Sequence, residues 1–66
     1  RKMYTPAEYD FTRAIELDPK NTDYRLNRAN VRLLTGRKKE AREDLDAMVE
    51  QGVPRANLVE WYKKCR

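Results

Sequence analysis

Three arginines in the middle of the chain could recognise an anion. Arg25, Arg28 and Arg32 follow the spacing i, i+3 and i+7, which places them on one face of a predicted helix. A guanidinium group donates hydrogen bonds in parallel pairs, and this geometry suits carboxylates and phosphates. We call these residues the arginine stripe. It is either a docking face for an acidic peptide or a phosphate, or a solvated face paired with acids of the next helix.

The solvated face is the commoner outcome for a run of charges. Residues 22–42 hold seven basic and two acidic residues, so the partners would come mainly from further along the chain. The candidates are Glu40, Glu43 and Asp44, and we expect the last two to be exposed to solvent.

The residue types that catalysis usually requires are nearly absent. The sequence has no histidine to act as a base near neutral pH, and Cys65 therefore has no imidazole to activate it. It contains no Cys/His cluster, calcium loop or glycine-rich phosphate loop. We expect no enzyme activity, no catalytic residue, no metal and no cofactor.

Length and composition set further limits. The chain has 66 residues, of which 39% are apolar and 39% charged, and its net charge is +4. This suits one small soluble domain, and no run approaches the ~20 apolar residues of a membrane span. The first residue is Arg1 rather than methionine, which suggests a piece of a longer protein. A single cysteine leaves the compartment open, with a cytoplasmic location favoured.

Nucleic acid is a partner that we do not expect. Basic residues near the C-terminus lie beside Trp61 and Tyr62, and such rings can stack on bases. However, acidic residues in the middle of the chain would repel phosphates, and no nucleic-acid-binding motif is present.

Start and stop signals predict about four helices and no strand. The first helix begins after Thr5, with Pro6 at its first position and Glu8 in capping-box spacing. Tyr4 and Tyr9 have the spacing of a hydrophobic staple. The sequence therefore predicts a well-defined N-terminus for this helix.

Turn residues separate the predicted helices. Pro19 ends the first helix, and the second runs from residue 22 or 23 to residue 34, with Gly36 after it. The third helix covers about residues 37–51 and is followed by Gly52. Pro54 then restarts a fourth helix, whose apolar side is predicted to carry Leu58, Trp61, Tyr62 and Cys65.

The first and third predicted helices repeat the same pattern. Apolar residues recur 34 positions apart in three pairs: Ala7 and Ala41, Phe11 and Leu45, Ala14 and Met48. Internal similarity at a fixed period of this length is typical of stacked helical repeats. The sequence therefore predicts an all-α, antiparallel helix-turn-helix array.

These residues resemble the tetratricopeptide repeat, a helix-turn-helix unit of 34 residues. The segment 14–21 resembles the junction between two repeats, and residues 27–29 match the Asn-Arg-small stretch of the first helix. Gly36 matches the glycine between the paired helices, Ala41 the small residue where they cross, and Leu45 the large residue one turn later. The resemblance implies a TPR-like α-solenoid fragment.

The resemblance also implies how one domain, residues 1–66, is organised. Residues 4–18 would be the second helix of a truncated repeat, residues 22–52 a full repeat, and residues 54–66 a C-terminal capping helix. The first helix then lacks the helix that would normally precede it. Its apolar face must be covered by the rest of the chain, by another copy or by the parent protein.

The family usually binds a protein partner, as a peptide or a helix, in a concave groove. The positions that match groove residues are Asp23, Leu26, Asn27, Asn30 and Leu33. The resemblance implies a non-catalytic interaction module or scaffold segment that uses these residues. Two alternatives stay open: a self-associating repeat segment that forms a homo-oligomer, and a binder of acidic or phosphate ligands through the arginine stripe.

Two features depart from the family pattern. Large aromatic or aliphatic residues usually stand at the positions of the arginine stripe, and arginine is common only at the middle one, Arg28, so the stripe must meet acids of a neighbour or the helix must pack in a rotated way. Members that clamp a partner's carboxylate use about five residues. Only Asn27 is present here, because Asn57 and Trp61 stand at two of the other positions. We expect Asn27 to bond to backbone instead.

Overall fold

The computed structural model describes residues 5–66, and these residues form an all-α fold with helix-turn-helix packing. Helix α1 spans Pro6–Leu17, α2 spans Thr22–Leu34 and α3 spans Lys38–Glu50. A 3₁₀ turn at Arg55–Leu58 leads directly into the short helix α4, Val59–Lys64. The predicted fold class is confirmed, and residues 5–66 contain no strand. Within the same range, no helix has the length and apolar character needed to cross a membrane.

The helix N-termini form as their capping residues predict. The hydroxyl of Thr5 accepts from the backbone N–H of Glu8 at 3.1 Å, and Pro6 opens α1. The side chain of Asn21 accepts from the N–H of Asp23 at 3.0 Å and caps α2. The predicted staple between Tyr4 and Tyr9 lies partly outside the described residues.

Gly36 and Gly52 end α2 and α3 in the left-handed conformation, with φ of 79° and 107°. The N–H of Arg37 donates to the carbonyl of Arg32 at 2.8 Å, and the N–H of Gly36 donates to that of Leu33 at 3.1 Å. This pair of bonds is a Schellman motif, which satisfies carbonyls that the helix leaves unpaired. The equivalent bonds surround Gly52.

The fourth helix differs from its prediction. The segment after Pro54 begins as a 3₁₀ turn, with the N–H of Asn57 donating to the Pro54 carbonyl at 3.0 Å, and only the six residues Val59–Lys64 are α-helical. Neither element has a side-chain N-cap. A short, uncapped segment commonly begins with such a tighter turn.

The apolar core lies between α2, α3 and the C-terminal segment. Ala29 and Ala41 are both fully buried, and small residues let packed helices approach closely. Leu45, Met48, Leu58 and Cys65 complete the buried cluster. Two basic side chains of α3 hold the end of the chain: Arg42 donates to the Cys65 carbonyl at 2.8 Å and Lys38 donates to that of Arg66 at 2.9 Å.

Candidate functional site: a buried ion cluster and its cavity

Helices α1, α2 and α3 meet at a cluster of charged side chains. Its acids come from the outer helices and its central arginines from α2. We call it the ion cluster, and its members are Glu8, Arg28, Arg32, Arg37, Glu40 and Asp44.

Arg28 is held from both sides. Its Nε and Nη2 donate to the two carboxylate oxygens of Asp44, at 3.0 and 2.5 Å. Its Nη1 donates to the Thr12 hydroxyl of α1 at 3.1 Å. The Thr12 hydroxyl in turn donates to the backbone carbonyl of Glu8 at 2.9 Å. Through Arg28, α2 is therefore hydrogen-bonded to both α1 and α3.

Arg32 makes a second bridge one turn further along α2. Its Nε donates to Glu8 at 2.9 Å, and its Nη1 donates to Asp44 at 3.1 Å and to the Glu40 carbonyl at 3.3 Å. Glu8 lies near the start of α1 and Arg32 near the end of α2, while Thr12 pairs with Arg28 earlier in α2. Pairing in this opposite order shows that α1 and α2 run antiparallel.

Arg37 completes the ion cluster from the loop between α2 and α3. It donates to the carboxylate of Glu8 through Nη2 and to that of Glu40 through Nη1, the latter at 3.0 Å. Three arginines thus face three carboxylates, so their formal charges balance. The cluster binds the three helices together without leaving a net charge among its members.

Burial distinguishes these ion pairs from ordinary surface pairs. Glu8 is fully buried and the side chain of Asp44 is 3% exposed, while the side chains of Arg28 and Arg32 are 13% and 14% exposed. The expectation of a solvated face is therefore wrong for Arg28, Arg32 and Asp44. These charges are buried because acids from two helices pair with them, which offsets much of their desolvation.

The sequence identified two of the three acids in the ion cluster. Glu40 and Asp44 were candidate partners, but Glu43 is exposed and belongs to no ion pair of the cluster. Glu8 was missed as a partner, because its spacing from Thr5 had already given it a capping role. The signal that could have identified Glu8 is its position on the same side of the first helix as Ile15, which is buried.

Arg25, the third member of the arginine stripe, lies outside the ion cluster. Its Nε is buried and has no hydrogen-bond partner among the described residues. A buried donor without a partner costs free energy.

A cavity of about 240 Å³ opens beside the ion cluster. It is lined by Tyr9 and Thr12 of α1 and by Arg28 and Arg32 of α2. None of the four lining side chains is acidic; Tyr9, Arg28 and Arg32 carry donors, while the Thr12 hydroxyl donates its hydrogen to the Glu8 carbonyl. The arrangement can bind an anion, whereas residues 5–66 contain no group of side chains suited to hold a metal ion.

The groove candidates divide between the core and the surface. Leu26 and Leu33 are half-buried and pack against the apolar core cluster. Asp23, Asn27 and Asn30 are exposed on one face of α2. The apolar groove candidates are thus partly used by the chain's own core, while the polar candidates face solvent.

The C-terminal aromatic residues mainly cover the core. Trp61 and Tyr62 are half-buried against it, as expected for a capping segment. Lys64 lies over the Trp61 ring and Arg55 over the Tyr62 ring, each 4.7 Å from the ring centre. Cations on ring faces add local stability.

Two groups in this segment resist losing a proton. Burial, followed by the hydrogen bond to Asp46, raises the pKa of the Tyr62 hydroxyl, which donates to Asp46 at 2.6 Å. Burial also raises the pKa of the Cys65 thiol, against the lowering effect of Arg42. A buried thiol with a raised pKa is a poor nucleophile.

Comparison with protein-family models, with curated proteins and with solved structures finds no match to this chain.

Proposed function

We propose that this chain is a non-catalytic protein-interaction module, a segment of a helical-repeat scaffold that binds a helix or an extended peptide of a partner. The observation that carries the proposal is a difference in burial between α1 and α3. Their apolar residues match at a period of 34, but only α3 has its matching face fully covered.

On α3, the residues Ala41, Leu45 and Met48 are buried in the core. The matching residues of α1, together with one further leucine, form a row that we call the α1 stripe: Ala7, Phe11, Ala14 and Leu17. Their spacing of i, i+4, i+7 and i+10 puts them on one side of the helix.

The α1 stripe is left largely uncovered. Ala7 is exposed, Phe11 and Ala14 are half-buried, and Leu17 is 78% exposed. An apolar row at helical spacing is what a helix of a partner packs against. A partner helix on the α1 stripe would occupy the place that a preceding repeat helix takes in an array, because α2 is the one helix of residues 5–66 that packs closely along α1.

The proposal includes the resemblance of this chain to the tetratricopeptide repeat. Support comes from the antiparallel packing of α1 and α2, the left-handed Gly36 and the full burial of Ala29 on α2 and Ala41 on α3 in one core cluster. The ion cluster replaces the large apolar residues that usual members have between these helices. This would stiffen the fragment without preventing stacking.

The α1 stripe, rather than the α2 groove, is the proposed contact surface. Leu26 and Leu33 already contribute to the core, which leaves only the polar candidates Asp23, Asn27 and Asn30 exposed on α2. An exposed face without apolar side chains offers a partner little area to bury.

A displayed library of helical peptides, selected on the wild-type chain, tests this proposal. Ala7→Glu places a charge on the α1 stripe at an exposed position, and glutamate favours helix nearly as well as alanine. The matched control is Ala56→Glu, also exposed but in the 3₁₀ turn. We expect selected peptides to bind the control like the wild type and to lose about tenfold or more in affinity for Ala7→Glu. Equal affinity for all three proteins would contradict the proposal.

A second candidate is self-association through the same surface. Leu34 is as exposed as Leu17, so a copy of the chain would find apolar side chains on both α1 and α2. Light scattering after size exclusion separates the two candidates. A mass that rises with concentration and returns to that of a monomer in Ala7→Glu would favour self-association. A constant monomer mass would favour a different partner.

A further inference from the structure

We propose that the cavity lined by Tyr9, Thr12, Arg28 and Arg32 is a binding site for a phosphate-type oxyanion. The proposal is independent of the α1 stripe, because Tyr9 and Thr12 lie on a different side of α1 from Ala7, Phe11 and Ala14. The proposed site also differs from the anion-binding arginine stripe considered from the sequence, because Arg25 does not line the cavity.

Arg28 and Arg32 keep donor capacity after forming the ion cluster. Arg32 uses Nε and Nη1 for Glu8, Asp44 and the Glu40 carbonyl, while its Nη2 has no partner among the described residues. That nitrogen is not among the buried unpaired atoms of residues 5–66, so it is accessible to solvent. Each terminal nitrogen of Arg28 makes one bond and has a second hydrogen to offer.

The carboxylates of the ion cluster do not line this cavity. Both oxygens of Asp44 accept from Arg28 and Arg32, and both oxygens of Glu8 accept from Arg32 and Arg37. An anion in the cavity would therefore meet guanidinium groups that are already fixed in place, and it would not need to break an ion pair. Fixed donors lose less conformational entropy on binding than free surface arginines do.

The surrounding donors favour a phosphate group over a carboxylate. The cavity of about 240 Å³ exceeds the size of a carboxylate group, and its lining comes from both α1 and α2. Tyr9 contributes a hydroxyl group that can donate, in addition to the two guanidinium groups. A phosphate group has at least three strong acceptor oxygens in a non-planar arrangement, which matches donors coming from different directions. The Thr12 hydroxyl, which already accepts from Arg28, holds that arginine in position.

NMR titration with inorganic phosphate tests the site. The wild-type protein is titrated at constant ionic strength, with chloride replaced by phosphate, and the Nε–Hε signals of Arg28 and Arg32 are followed. We expect these signals to shift and saturate. A second titration with O-phosphoserine distinguishes the source of the group. Saturation by phosphate alone supports a site for the free ion, whereas saturation by both supports a site that also accepts a phosphorylated side chain.

Tyr9→Phe removes the hydroxyl at an exposed position without disturbing the ion cluster, so the fold is retained. The matched control is Tyr24→Phe on α2, outside the cavity lining. We expect Tyr9→Phe to weaken phosphate binding by about two- to tenfold and Tyr24→Phe to leave it unchanged. Shifts that do not saturate, equal effects of the two variants, or shifts of the same size at Arg55 would each overturn the proposal.

Discussion

Arg28 and Asp44 form a two-point ion pair between α2 and α3, with Nε–Oδ2 and Nη2–Oδ1 distances of 3.0 and 2.5 Å. Ala29 follows Arg28 on α2 and is fully buried, as is Ala41 on α3, so the ion pair adjoins the apolar core cluster. Parallel hydrogen bonds from one guanidinium group also fix the rotation of α2. This relationship explains how a helix with three arginines on one face can be the central helix of the fold.

Asp44→Asn should lower the free energy of unfolding by about 3–5 kcal/mol, because Arg28 and Arg32 would lose the carboxylate that they share in a buried place. Urea unfolding followed by circular dichroism measures the change. The control is the neighbouring Glu43→Gln, which is exposed and should change stability by less than about 0.5 kcal/mol. Similar losses in both variants would show that the stability of the fold does not depend on the burial of Asp44.

Glu8→Gln tests which of two roles this residue has. If it serves mainly as a capping partner, its loss should cost no more than Thr5→Ala, about 1 kcal/mol. Because Glu8 is fully buried and accepts from Arg32 and Arg37, we expect a loss of about 3 kcal/mol or more. Thermal or urea unfolding of both variants gives the comparison, and a smaller loss for Glu8→Gln than for Thr5→Ala would contradict the buried role.

Gly36→Ala should destabilise the fold by about 1–2 kcal/mol, because φ at this position is 79° and a Cβ atom is strained in the left-handed region. No atom lies within 4 Å of the place that the Cβ would take, so the cost comes from the backbone alone. Gly36→Asn should cost less, since asparagine tolerates this conformation better than alanine. Equal urea midpoints for wild type and Gly36→Ala would show that the α2–α3 turn does not depend on this conformation.

Stability should fall at alkaline pH because of Tyr62 and Cys65. Their folded-state pKa values are raised above ordinary values of 10.0 and 9.0, so the folded state prefers the protonated forms. The resulting stabilisation is complete below the ordinary values. It is lost as the pH rises through the folded-state pKa values, since the unfolded chain releases these protons first.

Urea midpoints measured from pH 8 to pH 11 check this dependence (about one unit either side of the two ordinary values). We expect a smaller alkaline loss in Tyr62→Phe than in the wild type, even though the variant lacks the hydrogen bond to Asp46 at neutral pH. Parallel curves for the two proteins would show that Tyr62 does not contribute to the loss.

The sequence predicted the helices well because their ends depend on local chemistry. Thr5, Asn21, Gly36 and Gly52 act through bonds to residues at most five positions away, so the pattern contains the whole mechanism. The 3₁₀ start of the C-terminal segment was missed, although such turns are frequent at the N-termini of α-helices.

The site was harder to predict than the helices. Arg32 and Glu8 are 24 positions apart, and only the packed fold shows that they meet. Composition indicated that the arginine stripe would need acids but not which ones, and Glu43 and Asp44 are adjacent in the sequence yet differ completely in burial. Leu26 and Leu33 likewise matched a groove pattern, while their actual burial depends on how they pack against the core cluster.

The central claim, that the α1 stripe is the contact surface of an interaction module, is tested most directly by mapping a bound peptide. A peptide selected on the wild-type chain is titrated into the labelled protein, and the backbone amide shifts are followed by NMR. The account predicts the largest shifts along α1, at Ala7, Phe11, Ala14 and Leu17. Shifts centred instead on Asp23, Asn27 and Asn30 of α2 would contradict it and would indicate that the partner binds the groove candidates of α2.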